Sequence, residues 1–324
     1  MALPDLFSDR LTVPAVAAPM FLISGPDLVV QTCRAGVVGT FPALNQRTSE
    51  GYAEWLDEIG SRLSAPADAA PAPFGVNLVV HRSNPRLEAD LAITIDREVP
   101  LVITSLGLNR DLIQAVHEYG GLVFHDVTNL KHAEKAAEAG VDGLIAVSFG
   151  AGGHAGLISP FAALQEIRRI FPGTLLLGGA ISTGAQIAAA RLMGADLAYV
   201  GTRFMATKES LAVPRQKQML VDAQSTDIIY TPAISGVPGN FLKASIEAAG
   251  RDPGDLTPPS SYDFGATDAK AWKDIWAAGQ GVGAIDDIPS VADLCARLSA
   301  EYHTALSTTA IALTAGLRQP PSNE

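Results

Sequence analysis

Cysteine is nearly absent. The 324 residues contain two, Cys33 and Cys295, both set in helix-like runs of Val, Leu and Ala. That gives no basis for a disulfide framework or a cysteine metal site. Clusters of Lys and Arg are missing too, and the net charge is −11. Nucleic acid and anionic membrane surfaces are therefore poor partners. No apolar run approaches the length of a membrane span. The first residues, MALPDLFSDR, carry acids where a signal peptide needs an apolar centre. The expectation is a soluble, cytoplasmic protein. Several chemical signatures are also missing: a phosphate-binding P-loop, a G-x-G-x-x-G after an early strand, a Ser/His/Asp order and His/Cys ligand spacing. Carboxylates at strand ends are few, so a divalent metal has little to bind.

About half of the residues are apolar, and they fall into a repeated two-part pattern. Eight short apolar runs occur at 13–20, 37–41, 74–80, 101–106, 122–127, 143–149, 174–180 and 197–204. Amphipathic segments such as NLKHAEKAAEAG (129–140) and TGAQIAAARLMG (183–194) lie between them and end in glycine, a common helix stop. The runs do not alternate with polar residues, as expected of parallel strands covered on both faces. Eight such units predict an α/β fold of the (β/α)8 barrel type, ahead of an open doubly wound sheet. The barrel is expected over 1–206 and 288–318. Between them the rhythm is lost, and 207–287 reads as an excursion that covers the barrel mouth. The stretch 62–74 reads as a flexible loop, and 289–313 as the closing helix. The tail 319–324 reads as disordered.

A barrel places its chemistry at the C-terminal ends of its strands. Those ends carry Ala18, Pro19 and Met20, then Asn77, Ser105, His125 and Asp126, then SFGAGGHAG (148–156), then Gly178-Gly179 and Gly201-Thr202. Glycine pairs after the seventh and eighth strands leave backbone N–H groups approachable, a phosphate-binding device; ordinary strand-end turns are the other reading. The small residues around His154 let a planar group lie against the backbone within reach of an imidazole; an exposed histidine in a glycine-rich turn is the alternative. Asp126 either pairs with a neighbour or accepts from a ligand. The strand pattern leaves the direction of His125 open.

Together these pieces resemble the nitronate monooxygenase family, also called 2-nitropropane dioxygenases, of FMN-dependent (β/α)8 enzymes. The matching motifs are AAPM (17–20), FGVNL (74–78), HAEKAAEAGVDGLIA (132–146) and GAGGHAG (150–156), followed by LGGAIS (177–182), RLMGADLAYVGTRFMAT (191–207), SGVPGN (235–240) and WAAGQGVGAIDDIPS (276–290). The resemblance implies FMN contacts at Ala18, Pro19, Met20 and Asn77, and phosphate contacts at Gly178, Gly179, Gly201 and Thr202. It also implies approaches from Gly152 and Gln280, with His154 as the active-site histidine. Ser105 and Asp126 join the cofactor set from their strand-end positions. The implied reaction is oxidation of an alkyl nitronate or nitroalkane by dioxygen, giving nitrite and a carbonyl compound. A homodimer is compatible with it. The chain departs from the pattern at Val147 and Gly150, where many members carry Gln and Glu, and at Asp126, where some relatives carry Lys. Related barrels reduce quinones or enoyl thioesters with NAD(P)H. A flavin-free lyase or isomerase using the phosphate site is the reading from a different class.

Overall fold

A computed structural model describes residues 3–66, 69–257 and 274–314. Eleven strands occur among them. They are β1 (Ala15–Ala17), β2 (Val38–Pro42), β3 (Phe74–Val79), β4 (Leu101–Ser105), β5 (Leu122–Val127), β6 (Gly143–Val147), β7 (Gly153–His154), β8 (Thr174–Gly178), β9 (Leu197–Val200), β10 (Ile228–Thr231) and β11 (Gly239–Leu242). Eight form a closed barrel in the order β1-β2-β3-β4-β5-β6-β8-β9, and β1 pairs in parallel with β9 to close it. The eight apolar runs of the sequence are these eight strands. The fold is the expected (β/α)8 barrel, with a segment after its eighth strand covering the mouth.

Side-chain direction follows strand parity. Val16, Val38, Leu101, Ile103, Phe124, Ile145, Leu176 and Leu197 form one buried cluster inside the barrel, joined by Phe7 from the N-terminal 3-10 turn. The alternate residues, among them Val102, Val123, Leu144, Leu175 and Ala198, pack outward into the layer beneath the helices. Parity settles His125. It lies on the outward face, where its Nδ1 meets the Thr104 hydroxyl at 2.7 Å, while Phe124 and Asp126 on either side turn inward.

Local signals set the helix ends. Asn129 caps Leu130–Ala139 by accepting from the His132 N–H, and the helix stops at Gly140 with φ +88°. Thr183 and Gln186 form a reciprocal cap on Gly184–Leu192. The C-terminal helix Val291–Thr314 packs across Gly184–Leu192. There Gly184 donates to Glu301 at 2.7 Å, and a side chain at 184 would strike the Leu298 carbonyl. No helix among the described residues is long and apolar enough to cross a membrane.

The excursion is more regular than its composition suggests. It contains helix Pro214–Asp222, strands β10 and β11 and helix Lys243–Ala248. The loop after β6 is also not all turn. Its residues 153–154 are β7, which pairs antiparallel with β11 to make a small sheet, β10-β11-β7. The stretch read as a loop at 62–74 begins inside helix Ser49–Ser64 and ends in β3. The tail 319–324 lies outside the described residues.

Candidate functional site

The C-terminal ends of the barrel strands open into a cavity of about 1330 Å³. Ala18, Pro19, Met20, Asn77, Ser105, Asp126, Gly152, His154, Gly178, Gly179, Gly201 and Thr202 all line it. Gln280 does not. Its neighbours Gly279 and Gly281 reach the wall, while Gln280 packs behind the glycine loop, its backbone N–H donating to the Gly150 carbonyl at 2.9 Å. His125 reaches a side branch of the same cavity from the outer face of β5.

Backbone strain is concentrated at this mouth. Five non-glycine residues among those described have positive φ, and three of them follow barrel strands here: Leu22 (+62°), Leu106 (+63°) and Ala180 (+55°). Such conformations persist only where the surroundings hold them, and they mark functional loops more often than chance. Asn45 holds the first of these turns. Its side chain accepts from Leu22 and donates to the carbonyls of Met20 and Ser24 at 2.8, 3.0 and 2.7 Å.

The glycines do different jobs. Gly150 (φ +87°), Gly153 (φ +71°) and Gly179 (φ +136°) adopt backbone shapes that other residues resist. Gly152 has to be small because the 276–281 segment crosses over it: a Cβ there would sit 2.8 Å from the Gly279 nitrogen. Gly201 is unlike these. A Cβ at that position would meet nothing closer than Ala18 and Met20 at 3.8 Å, and its φ is −101°. The protein's own packing therefore does not require a glycine at 201. An open cradle on the cavity wall is what a bound group pressed against the backbone needs.

Residues 276–281 form a strap across the mouth. Gly279 N–H donates to Thr202 Oγ1 at 2.9 Å, and Ser182 Oγ donates to the Gly281 carbonyl at 2.9 Å. Ser225 donates to the Gln280 carbonyl, and Ala278 N–H donates to that of Asn240. Thr202 accepts from the strap, so its own proton remains available to a ligand. The Gly152→Ala substitution is expected to push the strap off its seat and cost about 1–3 kcal/mol, the usual range for overpacking. A thermal melt checks this; an unchanged Tm would show that the strap moves freely.

Two polar groups define the chemistry. His154 stands on β7, half-buried, with Nε2 3.1 Å from Ser235 Oγ. Ser235 donates its own proton to the Val237 carbonyl, so it accepts from His154 and places a proton on Nε2. Burial pulls the imidazole pKa down to about 4, so the ring is neutral at pH 7. Elsewhere on the cavity wall a relay crosses three strands. Asn77 Nδ2 donates to Ser105 Oγ at 2.7 Å, and Ser105 donates to Asp126 Oδ2 at 2.7 Å. Burial raises the Asp126 pKa to about 6.

Sequence reasoning missed Tyr199, Gln216, Tyr230 and Trp276, which also line the cavity. Tyr199 could have been found, since it has the inward parity of β9. The others come from the excursion, where no period guides the eye. Among the described residues no group of His, Cys, Asp or Glu is placed to hold a metal.

Comparisons with known proteins give the chain a family and a fold. The family model for nitronate monooxygenase matches residues 85–301. The chain is 26% identical to a nitronate monooxygenase of Paraburkholderia phytofirmans over 312 residues, covering 81% of this chain and 82% of that one. It is 27% identical over 237 residues to an octahydro-indene-carboxyl-CoA dehydrogenase of Mycobacterium tuberculosis, covering 72% of this chain and 64% of that protein's length. In fold it is similar to a nitroalkane oxidase from Streptomyces ansochromogenes (TM-score 0.82, 24% identity, 94% and 100% of the two chains). It is also similar to FabK from Thermotoga maritima (TM-score 0.77, 24% identity, 95% and 97%).

Proposed function

The chain belongs to the nitronate monooxygenase family, and on that premise we propose that it is an FMN-dependent oxidoreductase acting on alkyl nitronates and nitroalkanes with dioxygen. The observation that carries this reading is His154. It is a neutral imidazole fixed by β7 and Ser235 on the wall of a cavity that also offers an open glycine cradle.

The residues present fit FMN. Gly201 leaves room that no side chain of the protein uses, and Gly178, Gly179 and Thr202 lie beside it on the same wall. These four would hold the phosphate. The helix Gly184–Leu192 already has its first N–H groups met by Thr183 and Glu301, which leaves the phosphate to the strand ends. Ala18, Pro19, Met20, Asn77, Ser105, Asp126 and Gly152 would line the ring, with Gln280 supporting the glycine loop from behind. Bound FMN supplies the electron transfer that side chains cannot perform.

His154 acts on the proton. A neutral nitroalkane has an acidic C–H next to its nitro group, and the uncharged imidazole can take that proton. The nitronate formed is an anion, and an adjacent anion favours the protonated ring, so the low pKa of the imidazole rises as the pair forms. Toward a preformed nitronate the ring, whose protonated form the anion favours, stabilises the negative charge. Met20 and the strap wall the pocket and limit water. In this reading 207–287 is the lid of a barrel made by 1–206 and 288–318, in a cytoplasmic enzyme.

A second reading has specific support. Asn84, Pro85, Leu108 and Lys135 line both this cavity and a neighbouring open cleft of about 900 Å³, and the cavity alone is far roomier than a small nitronate needs. The Mycobacterium tuberculosis relative is a dehydrogenase of a CoA thioester by name. A thioester also has an acidic C–H that His154 could deprotonate.

The test is direct. The purified protein is expected to be yellow, to release FMN rather than FAD on denaturation, and to consume oxygen with nitronate. NADH and an acyl-CoA are run in parallel under anaerobic conditions. Bleaching of the flavin by NADH, without nitronate turnover, would favour a reductase. Bleaching by the thioester would favour the second reading. A colourless protein that FMN does not reconstitute would sink every flavin reading and leave a phosphate-binding lyase or isomerase.

A further inference from the structure

One buried oxygen on the cavity wall is left unmet by the protein. Asp126 Oδ2 accepts from Ser105, but Oδ1 is buried and has no hydrogen-bond partner. Buried carboxylate oxygens without a donor are unfavourable, and one in a native structure calls for an explanation. Asn77 donates to Ser105 and to the Ile103 carbonyl, and Ser105 donates to Oδ2, so no donor of the relay serves Oδ1. The relay fixes the plane of the carboxylate and leaves Oδ1 to something the protein does not supply.

The isoalloxazine of FMN has two unlike ends. Its benzenoid end carries methyl groups and offers no hydrogen-bond donor. Its pyrimidine end carries an N–H flanked by carbonyl oxygens. A wall made of Asn77, Ser105 and an unmet Asp126 oxygen suits the second. We infer that Asp126 meets the pyrimidine end of the flavin and sets how tightly reduced FMN is held relative to oxidised FMN, an inference that rests on the FMN reading above.

Charge decides the direction. Reduction adds electron density to the pyrimidine ring. A carboxylate beside it opposes that change, whereas a neutral carboxylic acid does not and can donate its own proton. Burial brings the Asp126 pKa to about 6, so the group changes charge in the working range. The groups facing it do not compensate. Asn77 and Ser105 are neutral, and the Tyr199 phenol is kept well above its ordinary pKa by burial and by the Asp126 charge. His125 turns to the other face of β5 and bonds Thr104. Among the described residues no cation contributes to the shift at Asp126. Some relatives in the resemblance carry Lys at this position, which would have the opposite effect.

The experiment is an equilibrium redox titration of the flavin-loaded protein against a reference dye, read by visible absorbance at pH 5 and pH 8. It compares the wild-type protein with Asp126→Asn. The difference between them cancels the flavin's own protonation. At pH 8 the variant is expected to favour reduced over oxidised FMN about tenfold more than wild type, an effect of one pKa unit in size. At pH 5, where Asp126 is largely protonated, the two should converge. Ser105→Ala removes the donor that stabilises the carboxylate, so its pH break should move upward. Equal ratios for wild type and Asp126→Asn at pH 8, with FMN bound in both, would overturn this inference and leave the FMN reading standing. A protein that binds no FMN overturns both.

Discussion

Replacing His154 by alanine is expected to leave FMN bound and to slow turnover by about a hundredfold or more, the usual scale for losing a positioned proton-transfer or charge-stabilising group. Binding should survive because the phosphate-side residues lie on β8 and β9, while His154 belongs to the small sheet β10-β11-β7. Neutral nitroalkane should suffer more than preformed nitronate if the imidazole removes the proton; equal losses point to charge stabilisation alone. Asparagine at 154 should restore part of the nitronate activity, because an amide still donates a hydrogen bond. The pH profile offers a separate check. An ordinary histidine would be protonated, and useless as a base, below about 6.5. Burial lowers the value here to about 4, so kcat/KM for nitroalkane should hold as the pH falls through 6.5 and drop only nearer 4. Near-normal turnover of His154→Ala on both substrate forms would reduce this histidine to a turn residue.

Gly201→Glu is expected to abolish FMN binding in a protein that still folds. The two halves of that statement have separate grounds. Folding should survive because the backbone at 201 has a φ open to any residue and a Cβ there meets only ordinary contacts at 3.8 Å. The same substitution at Gly179 or Gly152 would strike the Ser148 hydroxyl or the Gly279 backbone within 3 Å. Binding should fail because a carboxylate would take the place of the phosphate and repel it. Flavin content after gel filtration, with circular dichroism as the control for folding, reads both. Unchanged flavin in a soluble variant would place the phosphate elsewhere.

The barrel was legible because each of its strands is a short apolar run bounded by a turn, and parallel strands covered on both faces need no finer code. The strand-end residues followed, since a barrel dictates where its chemistry lies. What could not be read was contact between distant segments. Nothing in the sequence GH marks β7 as a strand. Its partner Gly239–Leu242 supplies the hydrogen bonds from more than eighty residues away. The family resemblance points Gln280 toward the ring, and its glycine neighbours do reach the cavity. Its backbone instead serves Gly150. The relay from Asn77 to Asp126 was present as three separate polar residues on three strands. Their connection depends on register, Asn77 opposite Ile103 and Val79 opposite Ser105, which composition does not encode. The excursion hid its two strands because a sheet of three short strands leaves no period long enough to detect.

The strap also fixes an order of assembly. Its hydrogen bonds to Ser225, Thr202 and Ser182 span 55, 77 and 99 residues of chain, whereas a strand and the helix after it meet within a few tens. Closing a longer loop costs more chain entropy, so contacts of large separation form after local ones have shortened the path between them. Individual strand–helix units can therefore take shape while the mouth is still unfinished. Thr202, Gly150 and Ser182 lock into place only when residues 276–281 come down across them. On this reasoning the cavity wall is acquired after the strand–helix units beneath it as the chain folds, and given up before them when it unfolds.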